Sequence, residues 1–549
     1  MQKLYTGLLF LSTILGSAQQ VSWQQNIKSN TQDFLSQLST TLDGQYLLSG
    51  SAIQNNSQLS KNQNLGYDFH IIKMNQQGQP VWDKYFGGDK HDFLTATTAT
   101  QEGGFLLAGT SYSGLGFQKK GKSKGGSDVW VIKIDENGEE QWQKTLGTEA
   151  EEEVKSVIQT VDLGYFIAGN TQNKESAFGS KDVWLVKLDK TGKVINQIYL
   201  GGEGLDEVEK IIPSKDGGAL LGIYSRSNSV ENTARKTIKE KNIDAENDSK
   251  NTNSFINETD SPLLLSTTYQ PKTTENFGEG DFWIVKLDKE GKVEWQKNFG
   301  GKNDDHIKTL NSSETGFIIA GESRSSSSGN KKMGVKEGTD IWVIALNLKG
   351  EELWQKGFNF NNRDVLMSLN TINDASGIKT KGFLLGGYTQ TEGKPEINDE
   401  TFWMLYLDNK GEEVWRKYVE GTEKQSEERL VAANINWDGS YILAGTAAPQ
   451  LGQENWKVVK LQDNQIEQLI EKQDLKIYPN PVEDYCYVEI GSDFKQATIS
   501  VFDMAGKLSL QIKTQNPTTK VDTHTLPQGV YIITVNTENK TLTNKILKK

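Results

Sequence analysis

The chain has 549 residues, of which 35% are hydrophobic, 24% are charged and 9% are aromatic. Its 60 Lys and Arg residues stand against 72 Asp and Glu residues, and the net charge of −12 argues against a protein that binds nucleic acid through its overall field. The single cysteine, Cys486, excludes an internal disulfide framework and a cysteine-based zinc site. The four histidines are far apart in the sequence, so we expect no histidine metal centre and no resident cofactor.

The first 18 residues have the pattern of a secretory signal peptide. Lys3 gives a positive start, Leu4 to Leu15 form a mainly apolar run, and small residues lead to a cleavage site between Ala18 and Gln19. The apolar run is shorter than the about 20 residues that a transmembrane helix needs, and no other segment is apolar enough to cross a bilayer. We therefore predict an exported chain without a transmembrane segment. A buried first strand is the alternative for residues 1–18.

An internal repeat of about 57 residues fills the chain between residues 19 and 463. The segment Asp128–Asp135, which reads DVWVIKID, recurs as Asp182–Asp189 and Asp281–Asp288, and weaker copies begin at Asp68, Asp340, Thr401 and Glu454. Each unit has four short runs rich in Val, Ile and Phe with glycine turns between them, which predicts four antiparallel strands. A single sheet of this kind has two apolar faces, and radial stacking of sheets covers both.

The number of units predicts how the sheets close. An innermost strand begins near each of seven acidic residues: Asp33, Asp92, Glu152, Asp206, Asp305, Asp364 and Glu427. The last unit ends after Trp456 without an outer strand of its own, so the N-terminal strand Val21–Asn26 should complete it and remove the free edge. We therefore predict an all-β chain with a seven-bladed β-propeller at residues 19–463, built from four-stranded blades with three-plus-one closure. Eight blades or an open solenoid are the alternatives.

The seven acids that begin the innermost strands are also the candidate functional residues. In a propeller they surround one mouth of the central channel, where seven carboxylates would attract cations or a basic partner. We therefore predict ligand binding by Asp33, Asp92, Glu152, Asp206, Asp305, Asp364 and Glu427. The sequence leaves open whether a divalent cation binds at this mouth. The structural alternative is that each acid accepts backbone N–H bonds in the tight crossing between blades, and both roles can hold together. No catalytic residue and no metal ligand is assigned.

The loops between second and third strands belong at the same mouth. Two of them, residues 111–127 and 323–339, are rich in lysine, and an insertion at residues 226–280 interrupts the fourth blade. Loops on a rigid scaffold are where function concentrates. The insertion is rich in Asn, Thr, Ser and Lys, so we expect it to be flexible. The recurring tryptophans have a simpler interpretation, because their repeat positions predict packing between blades rather than a sugar-stacking platform.

The C-terminal part has a different pattern. Residues 464–474 form a polar linker, and residues 475–549 alternate short strands with turns, as in a small C-terminal β-sandwich. Three motifs follow one another: LKIYPNP at 475–481, VFDMAGK at 501–507 and LPQGVYIITV at 526–535. Together they resemble the type A C-terminal sorting domain of the type IX secretion system of Bacteroidota. The sorting-motif residues are Tyr478, Pro479, Asn480, Pro481, Asp503, Gly506, Leu526, Pro527, Gly529 and Tyr531.

This resemblance implies recognition by the type IX secretion machinery and passage across the outer membrane. It also implies removal of the sorting domain, with the remaining chain released or attached to surface lipopolysaccharide. The repeat region, for its part, resembles the propeller arrays of exported Bacteroidota proteins, which bears on the fold alone.

These observations favour a binding or scaffold function over catalysis. We predict an exported propeller, secreted or on the outer cell surface, that binds a glycan or a protein. The alternative is an extracellular carbohydrate-active enzyme, a glycosidase or lyase, with its site at the acidic channel mouth, since a pair of carboxylates suits glycoside chemistry. A passive surface component is a third possibility. The chain has six arginines and no repeated Ser-x-Asp-x-Gly-x-Thr-Trp box, which argues against a sialidase.

Overall fold

In the computed structural model, the described residues are 20–27, 32–53, 66–172, 178–230, 266–336, 338–360, 363–374, 376–390, 401–419, 427–436, 439–448, 454–470, 474–492 and 494–549. The predicted signal peptide at residues 1–18 and its cleavage site at Ala18 and Gln19 lie outside them, as do residues 231–265 of the insertion. The described chain is all-β apart from one short helix.

Within the described residues from Gln20 to Gln462, the strands form seven successive sheets, each built on four antiparallel strands, and sheet 3 has a fifth strand that pairs parallel. In chain order, β1 (Gln20–Ile27) belongs to sheet 7; sheet 1 has β2 (Phe34–Thr40), β3 (Tyr46–Ala52), β4 (Asp68–Met74) and β5 (Pro80–Phe86); and sheet 2 has β6 (Asp92–Ala99), β7 (Phe105–Ser111), β8 (Asp128–Ile134) and β9 (Glu140–Leu146). Sheet 3 has β10 (Glu152–Gln159), β11 (Tyr165–Thr171), β12 (Asp182–Leu188) and β13 (Val194–Gly201); sheet 4 begins with β14 (Asp206–Pro213) and β15 (Ala219–Ser225); the chain then adds β16 (Ser266–Pro271) to sheet 3 before it completes sheet 4 with β17 (Asp281–Leu287) and β18 (Val293–Phe299). Sheet 5 has β19 (Asp305–Ser312), β20 (Gly316–Ser323), β21 (Asp340–Asn347) and β22 (Glu352–Phe358); sheet 6 has β23 (Arg363–Asn373), β24 (Thr380–Gln390), β25 (Thr401–Asp408) and β26 (Glu413–Val419); and sheet 7 has β27 (Glu427–Ile435), β28 (Tyr441–Ala448) and β29 (Asn455–Gln462).

The N-terminal strand β1 provides the fourth strand of sheet 7. It pairs antiparallel with β29, with Ile27 opposite Trp456 and Gln20 opposite Gln462. The first strand of each sheet contacts the first strand of the next sheet, and β27 of sheet 7 contacts β2 of sheet 1. The first strands therefore surround a central channel.

Tryptophan side chains fill the space between neighbouring sheets. On the third strands, Trp130 and Trp342 are fully buried. The centroid of the Trp130 ring lies 5.0 Å from that of Phe69 in the preceding sheet, and Trp342 lies 5.1 Å from Phe282 in the same relation. Each of these aromatic pairs therefore joins two sheets, which accounts for the recurrence of tryptophan in the repeat.

Tryptophans on the fourth strands explain why the hairpin turns of the repeat contain glycine. Trp142 on β9 covers the hairpin of the next sheet, where Gly192 has φ of +80° and a Cβ atom would lie 2.7 Å from the Trp142 ring. The same relation recurs between Trp23 and Gly78, Trp295 and Gly350, and Trp354 and Gly411. Glycine is required in these turns both for the left-handed backbone and for the close approach of the ring.

Part of the insertion in sheet 4 is ordered, which differs from the expectation of a flexible segment. β16 runs parallel to β13, the outer strand of sheet 3, with Ser266 opposite Asn196 and Pro271 opposite Gly201. The backbone N–H of Lys272 then donates to the carbonyl of Gly201 at 2.7 Å. An outer strand has unpaired backbone groups, and the returning insertion satisfies those of β13.

The segment at residues 464–474, expected as a linker, contains helix α1 (Asn464–Leu469). Asp463 begins the helix by accepting hydrogen bonds from the backbone amides of Gln465 and Ile466. Ile466 is buried and belongs to the hydrophobic core of sheets 6 and 7. No helix in the described part of the chain is long and apolar enough to cross a membrane.

Two smaller sheets follow α1. Their strands are β30 (Leu475–Tyr478), β31 (Tyr485–Ile490) and β34 (Thr518–Asp522) in one sheet, and β32 (Ala497–Asp503), β33 (Leu508–Thr514), β35 (Gly529–Asn536) and β36 (Thr541–Lys548) in the other. Both sheets contribute to one hydrophobic core, which includes Cys486 and Val501. Burial raises the pKa of the Cys486 thiol to about 12, so this cysteine is a packing residue.

The close approach of Trp142 to Gly192 can be tested by substitution. We expect Gly192→Ala to lower the free energy of unfolding by about 2–5 kcal/mol, because a left-handed alanine and a displaced ring both cost stability. The matched control is Gly377→Ala, where φ is +71° and a Cβ would have no neighbour within 4 Å. The control should lose about 1–2 kcal/mol in the same urea titration of the full chain. Equal losses would show that the ring contact does not require glycine.

Candidate functional site

The acids predicted to line the channel mouth are buried in the crossings between sheets. Asp92 accepts hydrogen bonds from the backbone N–H of Gly88 at 2.7 Å and from the hydroxyl of Ser113 at 2.9 Å. Asp206 and Asp305 repeat this pattern, and backbone N–H groups also donate to Glu152 and Asp364. The described members of the set are at most 2% exposed: Asp33, Asp92, Glu152, Asp206, Asp305 and Asp364.

These contacts match the structural alternative, in which each carboxylate holds the backbone of a crossing. The burial means that their charge is directed at protein donors and not at solvent. The side chain of Glu427 lies outside the described residues. Ligand binding by the seven acids stays a prediction, and the contacts assign a structural role to Asp92, Glu152, Asp206, Asp305 and Asp364.

A second buried carboxylate stands close to the first in each of several crossings. Burial raises the pKa of Asp182 to about 7, and the negative charge of Asp206 adds to this effect. Burial likewise raises the pKa of Asp281 to about 7, with a contribution from Asp305. Burial also raises the pKa of Asp364 to about 7. These crossings therefore hold more protons in the folded chain than in the unfolded one near neutral pH.

Three lysines of the loops between second and third strands are buried beside these acids. The ammonium group of Lys119 donates to the hydroxyl of Ser111 at 2.6 Å and to the carbonyl of Ser113 at 2.7 Å, and it lies 6.0 Å from the centroid of the Trp130 ring. Lys272 and Lys331 are in equivalent positions, over Trp283 and Trp342. Burial lowers the pKa of Lys272 to about 8.

These lysines stabilise the loops and are not available to a ligand. Each precedes the first aspartate of its third strand by nine residues, as Lys119 precedes Asp128. The long insertion thus returns to place Lys272 where the shorter loops place Lys119 and Lys331. This constant spacing is visible in the sequence alone. It is the signal that distinguishes the buried lysines of these loops from the exposed ones.

The central channel contains an open cavity of about 480 Å³ that the first strands line. Every first strand has a bulge at the same position, where one residue is skipped in the pairing with the second strand. A bulge redirects the side chain of the extra residue. The seven extra residues all line the cavity: Ser36, Thr95, Lys155, Glu209, Lys308, Met367 and Val431.

The lining differs between parts of the channel. Sheets 1 and 2 contribute the hydroxyl residues Ser36 and Thr95, and sheets 6 and 7 contribute the apolar residues Met367 and Val431. Sheets 3 to 5 contribute charge, because Lys155, Glu209 and Lys308 occupy the bulges and Lys210 follows Glu209 on the same wall. One wall of the cavity is therefore charged. It carries three lysines and the single carboxylate of Glu209.

The carboxylate of Glu209 is held by His306 of the neighbouring sheet. Glu209 Oε1 lies 3.1 Å from His306 Nε2. Burial opposes ionisation of Glu209, but the His306 contact and the charges of Lys155 and Lys308 outweigh it, so the pKa lies below its ordinary value. The His306 ring stacks on Tyr224 with centroids 4.2 Å apart.

A second carboxylate lies near His306 in a different environment. Glu322 is 8% exposed and stands opposite His306 in the pairing of β19 with β20. Burial raises the pKa of Glu322. Within the described residues, no group of three or more His, Cys, Asp or Glu side chains could hold a metal ion. The lysines of the channel wall can bind an anion, and the carboxyl groups of Glu209 and Glu322, both close to His306, differ in acidity.

The sorting-motif residues form the turns and core of the two smaller sheets. Asp503 Oδ1 accepts hydrogen bonds from the backbone N–H groups of Ala505 and Lys507, both at 2.9 Å, and Gly506 has φ of +81°. The hydroxyl of Tyr531 donates to the carbonyl of Pro527 at 2.9 Å. The remaining members have packing or turn positions: Tyr478, Pro479, Asn480, Pro481, Leu526 and Gly529.

These small sheets also contact the ends of sheets 1 and 2 that lie away from the lysine-rich loops. The hydroxyl of Tyr478 donates to the carbonyl of Leu42 at 2.7 Å. Glu136, in the hairpin between β8 and β9, accepts hydrogen bonds from Tyr487 and, at 2.9 Å, from Lys520. The mouth with the long loops is therefore on the other side of the sheets from the C-terminal region.

The pKa values of the crossing acids predict how stability depends on pH. Folded Asp182, Asp281 and Asp364 have pKa values of about 7, whereas an unfolded aspartate has a pKa of about 3.9. As the pH falls from 8 to 5, the folded chain takes up protons that the unfolded chain does not, so the unfolding temperature should rise. Calorimetry on the full chain at pH 8, 6.5 and 5 measures this.

Asp182→Asn imitates the protonated carboxyl and should reduce that rise, whereas Asp89→Asn, in an exposed part of a crossing, should leave it unchanged. An unfolding temperature that falls steadily from pH 8 to pH 5 in the unaltered chain would contradict the prediction.

Comparisons with known proteins identify the C-terminal region. Residues 476–549 match the family described as the secretion system C-terminal sorting domain. This confirms the resemblance that the three sequence motifs indicate. A search of curated proteins finds no match to the chain.

Several solved structures have some similarity to the chain. A protein of unknown function from Dyadobacter fermentans is 8% identical with a TM-score of 0.35, and the match covers 81% of this chain and 99% of that one. A PL25 ulvan lyase, a polysaccharide lyase, is 12% identical with a TM-score of 0.40, over 83% of this chain and 100% of that one. PorZ, a surface component of the type IX secretion system of Porphyromonas gingivalis, is 10% identical with a TM-score of 0.18, and the match covers 94% of this chain and 86% of that one.

Similarities at this level carry no argument about what the chain binds or catalyses. The match to the sorting-domain family, in contrast, does indicate where the protein is exported. Residues 476–549 are a secretion system C-terminal sorting domain of the type IX kind, and the protein is exported to the cell surface or secreted.

Proposed function

We propose that this protein is an exported seven-bladed β-propeller that binds an extracellular glycan or protein. In this proposal residues 1–18 are the signal peptide, residues 19–463 the propeller and residues 475–549 the sorting domain of a Bacteroidota protein. The succession of four-stranded sheets, the pairing of β1 with β29 and the contact of β27 with β2 support seven blades with three-plus-one closure.

The observation that carries the binding function is the central cavity. It measures about 480 Å³, and all seven first strands contribute side chains to it through their bulges. The crossing acids and the buried loop lysines are occupied by protein partners, so they do not offer a comparable site. A cavity lined by a few free polar groups on a rigid scaffold is the usual form of a ligand site.

The alternative function is that of an extracellular carbohydrate-active enzyme. Two carboxyl groups near His306 support it, because Glu209 has a lowered pKa and Glu322 a raised one. A pair of carboxyl groups with opposite shifts can divide the roles of base and acid. In this alternative the site moves from the acidic mouth predicted from sequence to the wall of the channel.

Ligand binding in the channel can be tested by thermal unfolding of the mature full chain with a panel of glycans and divalent cations. A ligand at a hundred times its dissociation constant stabilises by about 2.7 kcal/mol, which raises the unfolding temperature measurably. Thr95→Trp fills the cavity and should abolish the rise. Lys144→Trp, on the exposed face of β9, is the control and should keep it.

Three outcomes would change the proposal. A rise that survives Thr95→Trp would place the ligand outside the channel. Asp92→Asn with Asp305→Asn should lower the stability of the free protein; loss of the ligand effect without that destabilisation would restore the acidic mouth as the site. Shortened glycan products that Glu209→Gln or Glu322→Gln no longer forms would favour the enzyme.

The role of the sorting domain has its own test. Deletion of residues 475–549 should prevent the protein from crossing the outer membrane, because the secretion machinery then has no signal to recognise. Cell fractionation with surface protease digestion measures the distribution of the chain. A truncated chain that still reaches the surface or the medium would refute this role.

A further inference from the structure

Three lysines of the channel line the cavity without a hydrogen bond to another described residue. Lys155, Lys210 and Lys308 come from three successive sheets and line the same cavity. Among the described residues, none of their ammonium groups has a hydrogen bond or an ion pair within 4.0 Å. Other lysines of the same sheets are paired, as Lys181 is with Glu153 and Glu207.

Other polar side chains of the channel make hydrogen bonds between the sheets, unlike these three lysines. Asn370 donates to the carbonyl of Ala433 at 2.8 Å, and Asn434 donates to the carbonyl of Leu38 at 3.0 Å, so each amide joins two neighbouring sheets. The lysines do not make such bonds between sheets. The charges of Lys155 and Lys308 act on Glu209 of the neighbouring sheet without a hydrogen bond, and all three lysines line the cavity, where their charge can also meet a ligand.

The charge of this wall is positive in a chain whose net charge is −12. Glu209 is the only carboxylate among the cavity-lining residues, and His306 already contacts it. The surrounding protein lowers the pKa of Lys210 by keeping water from its ammonium group. An unpaired cation in such a place costs stability, and a bound anion would remove that cost.

The rest of the lining indicates what kind of anion fits. The bulges of sheets 6 and 7 place Met367 and Val431 on the cavity, and those of sheets 1 and 2 place Ser36 and Thr95 there. A sugar ring with a carboxylate has the same three kinds of surface: an apolar face, hydroxyl groups and a negative charge. A small inorganic anion would use only the lysines.

We propose that the channel binds an acidic sugar unit of a glycan, with its carboxylate between Lys155, Lys210 and Lys308. This proposal rests on the proposed function, because it takes the channel as the ligand site. Sulfate groups on a sugar would meet the same lysines, and the shared chemistry is an anionic oxygen group carried by a pyranose ring.

Calorimetric titration of the mature full chain with trigalacturonate tests this proposal, with a neutral galactose trimer and inorganic phosphate as comparison ligands. We expect trigalacturonate to bind at least tenfold more tightly than the neutral trimer. Raising the salt concentration from about 0.05 M to about 0.5 M should weaken its binding, because a shorter Debye length screens the lysines. Lys155→Met with Lys308→Met should weaken it at least tenfold.

The control variant is Lys144→Met, which removes an exposed lysine of β9 and should leave binding unchanged. A second readout is stability: Lys210→Met should keep or raise the unfolding temperature of the free protein, since it removes an unpaired cation. A fall in that temperature would mean that the lysine serves the fold and would overturn the proposal.

The outcomes separate this proposal from the proposed function. Equal binding of the acidic and neutral trimers, lost in Thr95→Trp, would refute the anion site and leave the channel as a binding site. Binding of phosphate alone would refute the acidic sugar. Binding of trigalacturonate that is unaffected by Thr95→Trp and by the lysine substitutions would refute both.

Discussion

Every sheet between Gln20 and Gln462 is apolar on both faces, and this constraint governs the rest of the structure. Third strands such as β8 and β17 have no exposed residue at all. Each sheet must therefore be covered on both sides, and the chain has to cross from the outer strand of one sheet to the inner strand of the next within a few residues. Such a tight crossing buries backbone N–H groups that need acceptors. The buried acids, Asp92 among them, provide those acceptors.

Sequence reasoning predicted the all-β chain of four-stranded antiparallel sheets because each repeat unit encodes its own strands and turns. Strand starts such as Asp128 and Asp206 recur with their turns, and the missing outer strand after Trp456 led to the pairing of β1 with β29. The direction of a side chain at a strand start is not visible in the spacing. The same aspartate could point into the crossing or out to solvent, and the burial of Asp92 distinguishes the two.

The channel residues were missed for a related reason. Lys155, Glu209 and Lys308 follow the alternation of an ordinary half-exposed strand, and nothing in that pattern marks a bulge. Register is a property of two strands, so the skipped residue appears only when the pairing with the second strand is known. The buried lysines of the loops are different, because their fixed distance from the next aspartate was readable in the sequence.

The two groups of lysine show how the same side chain serves different ends. In the loops, Lys272 has hydroxyl and carbonyl acceptors from the protein, so its burial supports the fold. In the channel, the half-buried Lys210 has none among the described residues, so the loss of water around its ammonium group works against the fold. Proteins commonly carry such local instability where they bind ligands.

Closure through β1 has a consequence for how the chain folds. Ile27 and Trp456 are neighbours in sheet 7, so the last contact of the ring joins the two ends of the repeat region. Contacts so distant in sequence form late, because the chain between them must be ordered first. Until then β29 has an open edge, and the β1 strand of a second molecule has the same complementary register. Crowded folding intermediates would therefore exchange N-terminal strands, which makes dilution during refolding a determinant of whether monomers or strand-swapped dimers are recovered.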